Sequence, residues 1–181
     1  MNQEQQFHHK SDKEILVELM EMYGDMVLRI AYTYVKEKQL AEDLAQEVFI
    51  RCYQSLHTFE KRSSYRTWLY RIAVNQCKDY VKSWTFRNFI PSDTLKLESS
   101  HESDTVSAHV LRQEEDSILF RNVLDLPVKL REVIIFYYYE ELSVEEIAVL
   151  LGIKVNTVKT RLHRARKNLK QTMEGGTTIE F

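Results

Sequence analysis

The sequence predicts an all-α protein, built as two small helical domains joined by a flexible acidic linker, with a helix-turn-helix in the second. Three observations carry that expectation. Helix breakers are scarce, with Gly 4 and Pro 2 in 181 residues. Apolar residues recur at helical spacing almost throughout. Two Ser-x-x-Glu sequences, Ser11 to Glu14 and Ser143 to Glu146, stand directly before such periodic runs. There a serine oxygen and a glutamate carboxylate satisfy N–H groups that a helix start leaves open.

The first helix is expected to open at Ser11 and run to about Glu37. Its apolar face is Ile15, Leu16, Leu19, Met22, Tyr23, Val27, Ile30, Ala31 and Tyr34. A second helix is expected from about Leu40 to Leu56. The polar loop HTFEKRSS (57–64) leads into a third, from Tyr65 to about Trp84. These pieces make a first domain over residues 11–86, followed by a linker over 87–109. Within the linker, PSDTLKLESSHESDTVSAH (91–109) lacks apolar periodicity and sets Asp93, Glu98, Glu102 and Asp104 against Lys96 alone. Such a composition cannot bury a core. The second domain is expected over 110–172: a helix to about Leu124, a break at Leu126-Pro127, a helix through REVIIFYYYEE, then the helix-turn-helix. In REVIIFYYYEE the aromatic run reads mainly as core, because its neighbours are aliphatic. The tail GGTTIEF is expected to fray. No internal repeat is visible.

Residues 143–170, SVEEIAVLLGIKVNTVKTRLHRARKNLK, carry the requirements of two helices crossing at a tight turn. Ala148 is small enough for close approach, Gly152 can take the positive φ of the turn, and Val158 plugs the seam from the second helix. That second helix places Val158, Leu162, Ala165 and Leu169 on its inner side. Around them stand Lys154, Lys159, Arg161, Arg164, Arg166, Lys167 and Lys170, with no acid from 154 to 170. Such a helix suits a DNA major groove. The plainer reading is a solvated basic helix on a bundle.

Net charge is only −2, with Lys+Arg 25 against Asp+Glu 27. The charge is segregated instead. Lys61, Arg62, Arg66, Arg71, Lys78, Lys82 and Arg87 form a second basic cluster, opposed within 61–87 only by Asp79. Two basic patches on a nearly neutral chain suggest two DNA contacts, each modest alone, presented by a larger complex. The start, MNQEQQFHHK, lacks the apolar stretch of a signal peptide, and no run of eighteen apolar residues exists, so a cytoplasmic protein without membrane insertion of its own is expected. Cys52 and Cys77 stand alone, without ligand spacing, and read as reduced, partly buried thiols.

In AEDLAQEVFIRCY the positions 41, 44, 45, 48 and 52 suit a buried stripe. Asp43, Gln46, Glu47 and Ile50 fall at i, i+3, i+4 and i+7 on another face. Acid, amide, acid and an exposed isoleucine resemble a protein-binding epitope; from the pattern alone an ordinary solvated face fits as well. Metal ligation by Glu42, Asp43 and Glu47 is disfavoured, since no histidine lies one turn away and no second carboxylate helix faces them. No metal, cofactor or catalytic residue is expected.

Taken together, AEDLAQEVF, YRTWLYRIAVNQCKDYVKS and LDLPVKLREVIIFYYYEELSVEEIAVLLGIKVNTVKTRLHRARKNL resemble the extracytoplasmic-function (ECF) sigma factors of bacterial RNA polymerase, in order and spacing, over about residues 13–171. The resemblance implies the second and fourth conserved sigma regions. It implies polymerase core as partner, through the β′ clamp coiled coil and the β flap, together with promoter DNA and an anti-sigma factor. Asp43, Gln46, Glu47 and Ile50 then belong to the helix that docks on the clamp. Phe59, Tyr65, Arg71, Asn75 and Lys78, with Tyr70 nearby, belong to the part that recognises and opens the −10 element, where aromatic and cationic groups hold a flipped base and a single strand. Phe59 lies where family members line the base pocket, whereas Trp68, Leu69 and Ile72 have the spacing of core, to which Trp68 is assigned. Lys159, Thr160, His163 and Arg164 match the −35 readers, and Arg161, Arg166 and Lys167 are expected on phosphates.

One departure stands out. Relatives commonly have a capping serine where this chain has Lys154, whose side chain cannot accept a hydrogen bond; Asn156 is the candidate cap of a slightly later start. The expected function is promoter-specific initiation under anti-sigma control, with no enzymatic activity. The alternative is a stand-alone helix-turn-helix repressor or activator. A nucleic-acid-processing enzyme lacks any triad or metal cluster.

Overall fold

The computed structural model describes residues 10–60, 63–87 and 118–175. Every regular element among them is helical. The chain divides into two compact units, Met1–Glu102 and Ser103–Phe181. The segment 88–117 lies outside the described residues, and with it the acidic linker and the expected start of the second domain near Val110. The tail beyond Gly175 lies outside them too.

In the first unit α1 spans Asp12–Val35. The Ser11 backbone N–H donates to Glu14 Oε2 at 2.8 Å, and the Glu14 N–H donates back to Ser11 Oγ at 3.4 Å. The Ser11 N–H, together with the Ser11 hydroxyl that donates to the same oxygen at 2.8 Å, holds the Glu14 carboxyl below its ordinary value. Leu19, Val27, Ile30 and Ala31 are fully buried. Met22, which spacing assigns to the apolar face, is 42% exposed, whereas Met26, Leu28 and Tyr32 are buried. The reason is that α1 packs against both other helices of the unit, so it buries more than one stripe.

Lys36 closes α1 in the left-handed region, with φ 57°. The Glu37 carboxylate then accepts from the N–H groups of Gln39 and Leu40, both at 2.9 Å. This glutamate cap starts α2 at Lys38, ahead of the expected Leu40, and α2 ends at Ser55. A 3-10 turn, Leu56–Thr58, carries the chain into the loop. Ser64 caps α3, Tyr65–Arg87, by accepting from the Thr67 N–H at 3.1 Å.

The first described element of the second unit is α4, Ile118–Asp125. The chain breaks at Leu126-Pro127 as expected, and α5 follows over Val128–Ile134. Arg131 is buried, and its Nε and Nη2 donate to the Leu126 carbonyl at 3.2 and 2.9 Å. Burial pushes this guanidinium down to about 10, and Asp125 opposes the shift.

From Ile135 to Tyr139 the helix widens into a π turn, closed by a bond from the Glu140 N–H to the Ile135 carbonyl at 3.1 Å. The aromatic run therefore divides. Phe136 is core, but Tyr137 and Tyr139 are half-buried and Tyr138 is 53% exposed, so the tyrosines are not core as expected. The wider turn carries them past the buried aliphatic side.

The helix α6, Val144–Leu151, starts with the Ser143–Glu146 box and stops at Gly152, φ 68°. Ala148 and Val158 are buried at its crossing with α7, Val155–Gly175. Asn156 does not cap a later start. The Lys154 carbonyl accepts from Thr157 and Val158 at 2.8 and 3.2 Å, so the helix begins at Val155 without help from a capping side chain.

Candidate nucleic-acid interface

Three exposed faces follow from these helices, two on the first unit and one on the second. On α2, burying Ala41, Leu44, Val48, Phe49 and Cys52 turns Asp43, Gln46, Glu47 and Ile50 outward together. Ile50 is 56% exposed, and Tyr53, one turn further, is 47% exposed. Tyr53 extends the apolar part of the patch. Its i+3 spacing from Ile50 is a signal that the sequence reading passed over.

The acidic part of this face is partly fixed from behind. Gln76 on α3, itself buried, donates its amide N–H to Glu47 Oε2 at 2.6 Å. Gln39 reaches Asp43 Oδ1 at 3.5 Å. The buried oxygens Glu42 Oε1 and Gln76 Oε1 have no hydrogen-bond partner among the described residues.

At the start of α3 the aromatic residues gather. The Phe59 ring lies 4.5 Å from Tyr65 and 4.8 Å from Trp68, and Tyr65 and Trp68 stand edge to face at 6.4 Å. Phe59 and Trp68 are half-buried, while Tyr65 and Tyr70 are buried. Tyr65 thus backs the Phe59 ring instead of offering a free face of its own, and Trp68 is less enclosed than a core assignment requires. Arg66 sits 5.5 Å over the Tyr70 ring.

Down the same helix Arg71 and Asn75 are exposed and Lys78 is half-buried, at i, i+4 and i+7. Together they form a polar and cationic strip leading away from the aromatic cluster. That arrangement pairs stacking surface with backbone-binding charge, the combination that single-stranded nucleic acid needs.

On α7 the buried side is Val158, Leu162 and Ala165, and Lys159, Thr160, His163 and Arg164 are exposed. The Thr160 hydroxyl donates to the Asn156 carbonyl at 2.8 Å. Of the flanking cations, Lys167 is exposed to solvent. Arg161 is turned inward, its Nη1 donating to Glu132 Oε1 on α5 at 2.8 Å. Arg166 donates to the Tyr138 hydroxyl at 2.9 Å and lies over the Tyr137 and Tyr138 rings at 5.5 and 5.6 Å. Arg161 is therefore engaged with protein where the sequence suggested phosphate. Its partner lies 29 residues away, beyond the reach of any local pattern.

Burial pushes the Cys52 and Cys77 thiols up to about 12, far from a reactive thiolate. Among the described residues no group of histidines, cysteines and carboxylates is placed to hold a metal ion. No helix among them is long and apolar enough to cross a membrane.

Comparison with known proteins follows the same division. Residues 19–85 match the family described as Sigma-70 region 2, and residues 123–169 match Sigma-70, region 4. The chain is similar to the ECF RNA polymerase sigma factor SigW of Bacillus subtilis (strain 168), 33% identical over 171 residues, which cover 91% of each chain. It is also similar to the ECF RNA polymerase sigma-E factor of Escherichia coli (strain K12), 33% identical over 177 residues, covering 91% of this chain and 90% of that one. Among solved structures, the fold resembles the sigma factor RpoE bound to the anti-sigma factor NepR from Bartonella quintana, with a TM-score of 0.68 at 19% identity, covering 90% of this chain and 98% of that one. It also resembles CnrH in complex with the cytosolic domain of CnrY, with a TM-score of 0.63 at 21% identity, covering 90% of both.

Proposed function

The chain belongs to the ECF sigma factors of RNA polymerase, and from that premise we propose how its three faces divide the work of initiation. The protein binds polymerase core and directs transcription from specific promoters. Asp43, Gln46, Glu47 and Ile50 dock on core. Phe59, backed by Tyr65, receives a base unstacked from the −10 element, and Arg71, Asn75 and Lys78 hold the strand beyond it. Lys159, Thr160, His163 and Arg164 enter the −35 major groove, and Lys167 meets phosphate. The first sigma domain spans about 11–86 and the second about 110–172. The bond-making chemistry belongs to polymerase, and the protein works in the cytoplasm.

An anti-sigma factor controls it by covering these faces. A structural neighbour of the same fold, the sigma factor RpoE, has been solved with the anti-sigma factor NepR, which supports the reading.

The observation that carries the assignment is the pairing of an outward acidic and apolar face on α2 with two separate cationic faces, on a chain whose net charge is only −2. A nearly neutral chain gains little affinity from counterion release on its own. Gel-shift titration with and without core tests this. Weak promoter binding by the free chain and tight, specific binding as holoenzyme are expected. Nanomolar, palindrome-dependent binding by the chain alone would instead favour a stand-alone repressor or activator.

A further inference from the structure

Two cations of α7 contact protein side chains, and both find their partners in one continuous segment. Arg161 reaches Glu132, whose side chain keeps only 4% of its exposure. A carboxylate so deep is strongly disfavoured unless a cation meets it. Arg166, at the surface, is held differently: it lies over the adjacent Tyr137 and Tyr138 rings, with its Nε donating to the Tyr138 hydroxyl. Glu132 lies on α5, and the tyrosines lie in the π turn that continues it.

The spacing of these two ties matters. Arg161 and Arg166 are five residues apart, which places them about 7.5 Å apart along the axis of α7 and about 140° apart around it. A helix held at one point can pivot. Held at two points that differ in both height and angle, it can neither slide nor turn without breaking a contact. The outward strip of Lys159, Thr160, His163 and Arg164 stands at fixed angles from both ties.

We propose that Glu132, Tyr137 and Tyr138 are positioning residues for promoter reading: by holding Arg161 and Arg166 they set the rotation of α7, and so determine which edge of its outward strip meets the bases. This rests on the reading of α7 as the −35 helix. Arg161 and Arg166 then act through protein contacts, and their loss changes sequence preference instead of removing phosphate contacts.

The test uses the full chain assembled with polymerase core, transcribing a panel of promoters that differ in the −35 element at several salt concentrations. E132Q, R161Q, the double variant, Y138F, R166K and R164A are compared with wild type. E132Q and R161Q are each expected to reduce discrimination among −35 sequences by roughly 3- to 30-fold, and the double variant by no more than the worse single. The salt slope should stay that of wild type in all three. Y138F, which removes only the hydroxyl that Arg166 meets, should reduce discrimination about threefold.

The proposal is overturned if R161Q makes the salt slope shallower by about one, as loss of a phosphate contact would, or if the losses from E132Q and R161Q simply add. Should the buried substitutions prevent folding, Y138F and R166K at the surface decide: unchanged preference in both overturns the proposal, and reduced preference at an unchanged salt slope supports it. R164A separates this from the underlying reading. If R164A shifts −35 preference and the positioning variants do not, only the positioning idea fails; if R164A also has no effect, α7 is not in the groove and both fall.

Discussion

Arg164 and Lys167 offer a direct separation of specificity from affinity within one helix. Both are exposed, and they lie three residues apart, hence about 4.5 Å along the axis and only about 60° apart around it. Arg164 shares the outward strip with Lys159, Thr160 and His163, opposite the buried Val158, Leu162 and Ala165. If it forks onto a base edge, Arg164→Ala removes roughly 1–3 kcal/mol of discrimination, which is roughly 5- to 150-fold in relative promoter strength at one or two base pairs. Lys167 lies nearer the helix end, where the proposed reading has it meet a single phosphate. Losing one such contact lowers the salt slope by about 0.9, so over a fourfold rise in salt Lys167→Ala loses about 3.5-fold less activity than wild type. Its sequence preference should not change. Transcription by holoenzyme from a −35 library, repeated at several salt concentrations, reads both quantities at once. The reasoning is refuted if Arg164→Ala weakens every promoter equally while Lys167→Ala changes preference, since the register of α7 would then differ by part of a turn.

Three further outcomes are expected. Changing both Asp43 and Glu47 to Lys should abolish core binding in a pull-down while leaving the far-UV circular dichroism unchanged; holoenzyme formation at wild-type affinity would remove the docking assignment. Gly152→Ala should destabilise the second unit by about 1–2 kcal/mol in denaturant unfolding, the cost of the left-handed conformation alone, because nothing lies within 4 Å of the added Cβ; a much larger loss would mean an unseen clash, and no loss would mean that the turn does not need positive φ. The Cys52 and Cys77 thiols, raised from 9.0 to about 12 by burial, should resist alkylation at pH 8 until the protein is unfolded. With folded values above unfolded ones, the stability they confer is fully present below about pH 9 and is lost as pH rises toward 12, which alkaline unfolding would show.

The parts of the fold that local chemistry determines were legible in the sequence. Ser11 with Glu14, Ser143 with Glu146, and Gly152 between two apolar periodic runs each act within a few residues, and all three form the expected structure. The outward placement of Asp43, Gln46, Glu47 and Ile50 followed from the buried stripe beside them. Contacts across sequence were not legible. Nothing near Arg161 announces Glu132, and nothing near Glu47 announces Gln76. The exposure of Met22 depends on how two neighbouring helices flank α1. The tyrosine run misled for a different reason: helical spacing assumes one uniform turn, and Ile135–Tyr139 departs from it.

That departure sets a phase. Each residue of an α-helix advances the chain by 100°, so one residue absorbed into a wide turn offsets everything after it by about that angle. Arg131 through Phe136 are all buried, yet Tyr138, two positions on, emerges into solvent where Arg166 meets it. Deleting a single residue from Ile135–Tyr139 would restore a regular helix and keep its composition almost intact. It would also swing the tyrosines away from α7 by more than a quarter of a turn. In this protein the length of that short segment is therefore under tighter constraint than its residue types: a conservative substitution there is a local matter, whereas an insertion or deletion moves the contacts that hold Arg166 of α7.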